Sequence, residues 1–170
     1  MIDQIQGLPA HPLVVHVPVV LIPLTLILAI IAVAWPGGRR WLSLAVLIGA
    51  TGSMLGAQVA VMSGDWLEEH VESSSLIHDH AELGEGARTF AILMFLAAAA
   101  FFVREWRDRL PGGDRLGRIL APRGVPVALS VLLLATAVLT TVWVVRAGHM
   151  GAKAAWSDVS SQTTTSGDRD

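Results

Sequence analysis

The sequence predicts an all-α integral membrane protein, a four-helix bundle with both termini outside the cytoplasm. Three observations carry that expectation. Hydrophobic residues make up 53% of the 170 positions and charged residues only 15%, whereas a soluble domain carries about a quarter of its residues as charges. Four apolar runs each approach the ~20 residues that a helix needs to cross a bilayer. The few charges are gathered into blocks between those runs.

The same composition excludes several classes of function. A net charge of −2 leaves no basic face to neutralise phosphates, so no nucleic-acid partner is expected. Cysteine is absent, which excludes disulfides, thiolate metal sites, iron–sulfur clusters and covalent c-type haem. Six histidines remain as the strong nitrogen ligands.

The first span runs from about His11 to Trp35. A cleaved signal peptide would need a basic start and a shorter apolar stretch. The start MIDQIQGLPA has no Lys or Arg and the run is too long, so the span is expected to be retained. The second span covers Trp41 to about Ser63, and the fourth about Pro126 to Arg146. The apolar part of the third, Ala91 to Val103, is too short. It reaches full length only from near Leu83, taking in Gly84, Glu85, Gly86 and Arg88, which predicts outer turns that face protein or water. One domain, residues 1–156, accounts for the spans, and no internal repeat is convincing. Residues 157–170 form a Ser/Thr-rich tail expected to be disordered. A short surface helix is expected at Asp114–Leu120, hinged at Pro111–Gly112–Gly113.

Loop charge sets the orientation. Arg39 and Arg40 lie between the first two spans, and Arg104, Arg107, Arg109, Arg115, Arg118 and Arg123 between the last two. The middle connection holds Asp65, Glu68, Glu69, Glu72, Asp79, Glu82 and Glu85 against Arg88 alone. Cytoplasmic loops are enriched in Lys and Arg, so both Arg loops are expected inside and both termini outside. Trp35, Trp41 and Trp106 then suit the inner interface, and Trp66 and Trp143 the outer one.

With that topology all six histidines fall at the outer pole. His11 and His16 open the first span, His70, His78 and His80 lie in the acidic connection, and His149 follows the fourth span. His16 sits about 7–8 Å deeper than His11, where an ionisable group is costly unless paired. It reads as a ligand or as a contact to a neighbouring helix. Pro18 and Pro23 are expected to kink the helix and so to re-aim His16 toward the bundle axis. His11 and His16 lie about 140° apart on a straight helix, so one ion does not readily use both. His80 precedes the small-residue stretch Gly84–Ala87, which suits close approach of a flat cofactor or of another helix.

Gly49, Gly52 and Gly56 read as a packing stripe. Thr136, Thr140 and Thr141 read as bonded back to their own helix. Arg146, Gly148 and His149 cluster at the outer end, and Arg88 and Arg146 either pair with cofactor carboxylates or snorkel to headgroups.

His-Pro-Leu-Val-Val-His-Val-Pro at residues 11–18 resembles the opening of a bacterial four-helix membrane family catalogued as domain of unknown function 2231. His80 before Leu83–Gly84, and Arg146-Ala-Gly-His-Met-Gly at 146–151, resemble its other signatures. The likeness extends from about Gly7 to Trp156. It implies a multi-pass protein of a bacterial plasma membrane, similar in layout to small b-type cytochromes, and a redox setting. The polar tail after Trp156 departs from the aromatic-rich segment expected there, and His70 and His78 match no signature.

Three functions then compete. The first is electron transfer by b-type haem on His11, His16, His80 and His149, with His16 and His80 as the favoured pair and a redox protein as partner. The second is a copper or zinc site using imidazole and carboxylate, drawing on Asp65, Glu69, His70, His78, Asp79 and His80. The third is a non-catalytic subunit of a membrane complex, or an oligomer, whose histidines serve helix contacts. Enzyme chemistry fits poorly, for there is no nucleophile–base pair and no phosphate loop. A transporter lacks a discontinuous-helix pair.

Overall fold

The computed structural model describes residues 4–166, apart from 6, 73, 112–121 and 123. A short hairpin, β1 (Gln4–Ile5) against β2 (Leu8–Pro9), opens the chain and turns at Gly7, whose φ of 81° favours glycine. The first span follows as α1 (His11–Val14) and α2 (His16–Ala34). Pro18 has no N–H to offer the carbonyl of Val14, and regular helix lapses one turn earlier, at Val15. The backbone of Val15 stays helical (φ −60°, ψ −22°), so the two pieces remain in phase and Pro23 lies inside α2.

Trp35 leaves the helix in an extended conformation, and α3 (Arg39–Glu68) starts after Gly38. Arg39 reaches back to the free carbonyls of α2, with Nε 3.2 Å from Ala32 O and Nη2 2.8 Å from Val33 O, placing a cation at the negative end of that helix. The third span, α4 (Ser75–Trp106), begins well before Leu83 because Ser74 caps it, its Oγ accepting from the N–H of Ile77 at 3.3 Å. A 3₁₀ turn, Arg107–Arg109, closes α4.

The last helix, α5 (Val125–Ser166), runs far past Arg146 and carries regular backbone into the segment expected to be disordered. Extending an existing helix costs little per residue, and neither Pro nor Gly follows Gly151 until Gly167. The surface helix expected at Asp114–Leu120, its hinge glycines Gly112 and Gly113, and the tail from 167 lie outside the described residues.

Four helices are long and apolar enough to cross a membrane: His11–Ala34, Arg39–Glu68, Ser75–Arg109 and Val125–Trp156. They close into a ring in which α2 and α4 each pack on both α3 and α5. Ile22, Val46, Met94, Phe101 and Leu133 fill the core among buried alanines. Val20, Ile27, Ile48, Leu96 and Val131 point outward, as lipid-facing side chains do.

The glycine stripe of α3 is a packing surface. A Cβ at Gly49 would meet Thr25, one at Gly52 Leu21, and one at Gly56 Val17 and Pro18. Thr136, Thr140 and Thr141 donate to the carbonyls of Leu132, Thr136 and Ala137 at 2.7–2.9 Å, which satisfies their hydroxyls within α5.

The two Arg-bearing connections meet at one pole. Arg40 holds the Asp108 carboxylate through both terminal nitrogens at 3.1 and 3.2 Å, and Trp106 Nε1 donates to Arg40 O at 3.1 Å. The Arg40 guanidinium also lies 4.6 Å over the Trp106 ring, which meets Trp41 edge-on at 5.5 Å. The opposite pole gathers α1, the end of α3 and the start of α4.

Gly56→Leu should overpack the α2–α3 crossing by about 1–3 kcal/mol and lower the thermal midpoint in detergent by several degrees. Gly148→Ala, where a Cβ meets nothing within 4 Å, should leave that midpoint unchanged.

Candidate functional site

Two imidazoles from separate helices face each other at the pole opposite the arginines. His11 of α1 and His80 of α4 have ring centroids 5.9 Å apart, with planes at 82°. His11 Nδ1 lies 2.9 Å from the carbonyl oxygen of Ala60 and 3.3 Å from Ser63 Oγ. His80 Nδ1 lies 2.8 Å from the carbonyl oxygen of Ala147. A carbonyl can only accept, so Nδ1 donates in both rings, and it is the neutral form of each imidazole that offers a lone pair on Nε2. Metal-ligating histidines are commonly oriented by a bond of this kind on the second nitrogen.

The same local device builds both halves. Inside a helix the carbonyl of residue i is already bonded to the N–H of i+4, and only its second lone pair is free. The Cβ of residue i+4 crowds the approach to it. Here that position is glycine in each case: Gly64 four after Ala60, and Gly151 four after Ala147. A Cβ at Gly64 would stand 3.1 Å from His11 Cε1, and one at Gly151 2.9 Å from His80 Cε1. Each ring therefore lies over a glycine while bonding the carbonyl one turn back.

Ser63 makes the two rings inequivalent. Its buried hydroxyl donates to the same Ala60 O at 3.0 Å, so His11 and Ser63 share the free side of that carbonyl, and Ser63 Oγ lies within reach of His11 Nδ1. Ala60, Ser63, Gly64, Ala147 and Gly151 were not singled out by the sequence as members of this site. The repeated Ala-x-x-x-Gly at the ends of two spans, on the side away from the Arg-rich connections, is the signal that marks them.

His16, expected as the partner of His80, is exposed on the outer surface of α2, and His11 stands in that place instead. The break at Val15 leaves the helical phase intact, so the prolines do not re-aim His16 and the 140° offset from His11 persists. His149 is also exposed, two residues beyond Ala147 on another side of α5, and neighbouring Gly148 borders open space.

Arg88 pairs with Glu85 at 3.8 Å, and the Arg146 guanidinium lies 5.4 Å over the Trp143 ring. The small-residue stretch after His80 receives another helix: Trp143 of α5 fills the space a Cβ at Gly86 would need and packs on Phe90 at 5.0 Å.

The remaining histidines serve the α3–α4 connection. His70 stacks on Trp66 at 4.1 Å with Nδ1 2.7 Å from Trp66 O, and His78 Nδ1 lies 4.0 Å from Glu68. Among the described residues, no group of three His, Asp or Glu side chains is arranged to hold an ion.

Nitrogen-15 NMR of histidine-labelled protein should show His11 and His80 in the Nδ1–H form. Gly151→Val should displace the His80 ring from Ala147 and return its spectrum to a mixture of tautomers, with His11 less affected.

A family model described as a predicted membrane protein (DUF2231) matches residues 7–164. No curated protein and no solved structure matches the chain. With its helices, its apolar spans and that match over nearly its whole length, the chain belongs to the DUF2231 family of predicted membrane proteins.

Proposed function

We propose that His11 and His80 are the axial ligands of a b-type haem, and that the protein transfers electrons at the outer face of a bacterial plasma membrane. The observation that carries this reading is the ring spacing. With metal–nitrogen bonds of about 2.0–2.1 Å, two imidazoles opposite each other place their centroids about 6.3 Å apart, and a tetrahedral pair about 5.1 Å. The 5.9 Å between His11 and His80 lies nearer the first value.

Ligand number supports the same choice. A haem iron accepts two protein imidazoles, whereas a bare zinc or copper ion takes three or four ligands from its protein. The carbonyls of Ala60 and Ala147 would fix the ring orientations, and Gly64 and Gly151 would keep those positions clear. Arg88, eight residues after His80, and Arg146, next to Ala147, would be the cations offered to the haem carboxylates. Bound haem would supply one-electron chemistry, and the surrounding acidic connection would face a soluble redox partner. The Arg-rich loops at the opposite pole support the outer placement.

Detergent-purified protein expressed with a haem supply should show a reducible Soret band and a positive pyridine haemochrome. His11→Ala and His80→Ala should each abolish both in protein that remains monodisperse. His16→Ala and His149→Ala should retain them. A stoichiometric copper or zinc content without a Soret band would overturn the haem reading.

A further inference from the structure

His16 has no place in the His11–His80 pair, yet its surroundings are unusual. Its ring is exposed on a strip of the first span shared with Leu13 of α1 and with Val17 and Val20 of α2, all exposed apolar side chains. No hydrogen bond from the described residues reaches it. It lies five residues inward from His11, about 7–8 Å along the helix. An ionisable side chain facing the apolar phase marks a functional site by default.

We infer that His16 is the docking point for the head group of a lipid-soluble quinone. A neutral imidazole carries one N–H and one lone pair at once. A quinone offers carbonyls that accept from the N–H, and the corresponding quinol offers hydroxyls that donate to the lone pair, so one ring serves both forms. Lipid ester carbonyls can only accept, and they use half of that capacity. A head group held here would lie within one helical turn or two of the His11–His80 pair, at the depth where an amphiphile with an isoprenoid tail rests. The redox role of this contact depends on the haem reading above, whereas the binding does not.

The full chain in phosphatidylethanolamine–phosphatidylglycerol liposomes would be photolabelled with a short-chain azido-ubiquinone and mapped by mass spectrometry. Saturable label on residues 12–20, displaced by unlabelled short-chain ubiquinone, is expected. His16→Leu should reduce it about tenfold, as for the loss of one hydrogen bond, and His149→Leu should leave it unchanged. Unsaturable label spread over the lipid-facing sides of all helices would overturn the site. So would undiminished label in His16→Leu, or cross-linking of the strip to a second copy of the chain. Haemochrome on the same samples separates the two ideas: saturable label without haem removes the His11–His80 reading alone, and haem without saturable label removes only the quinone site.

Discussion

The second lone pair of a helix carbonyl is the feature on which the histidine-bearing pole depends. In hydrocarbon every backbone polar group must be satisfied within the chain, and helices achieve this by consuming one lone pair of each carbonyl. The other is normally screened by the side chain one turn ahead. Glycine at 64 and at 151 lifts that screen, and His11 and His80 each donate Nδ1–H into the gap. Both rings are thereby held in one tautomer and one orientation without recruiting a single charged partner.

The arrangement is repeated across the bundle. A helix that starts near a histidine at this pole is followed by a helix carrying Ala-x-x-x-Gly at the same level, first as α1–α2 with α3, then as α4 with α5. The two imidazoles meet where the halves meet. Elsewhere the halves differ, since the first packs through the glycine stripe on α3 and the second through Trp143 against Gly86. That divergence explains why no internal repeat is visible along the sequence.

The two poles divide the chemistry. At one, Arg40 is clamped between Asp108 and Trp106, and Arg39 is turned onto the carbonyls of α2, so its guanidinium groups hold helix ends together. At the other, the carbonyls of Ala60 and Ala147 orient the two imidazole rings of His11 and His80. The first pole is held by charge and stacking, the second by hydrogen bonds from imidazole to backbone carbonyls.

Composition and apolar run length were sufficient for the membrane class and the four spans, because a bilayer sets the length of a helix and the polarity of its outer surface. The 140° between His11 and His16 was likewise readable, since helical phase is fixed by residue count. Which of the two turns inward was not, because that depends on how α1 is seated against α3, and Pro18 suggested a reorientation that the helical backbone at Val15 does not produce. Gly151 and Gly64 look like ordinary packing glycines in the sequence, because the rings that lie over them, His80 and His11, are 71 and 53 residues away along the chain. Contacts between residues 49 and 67 positions apart are made by the packing of helices, and the tertiary structure alone decides them.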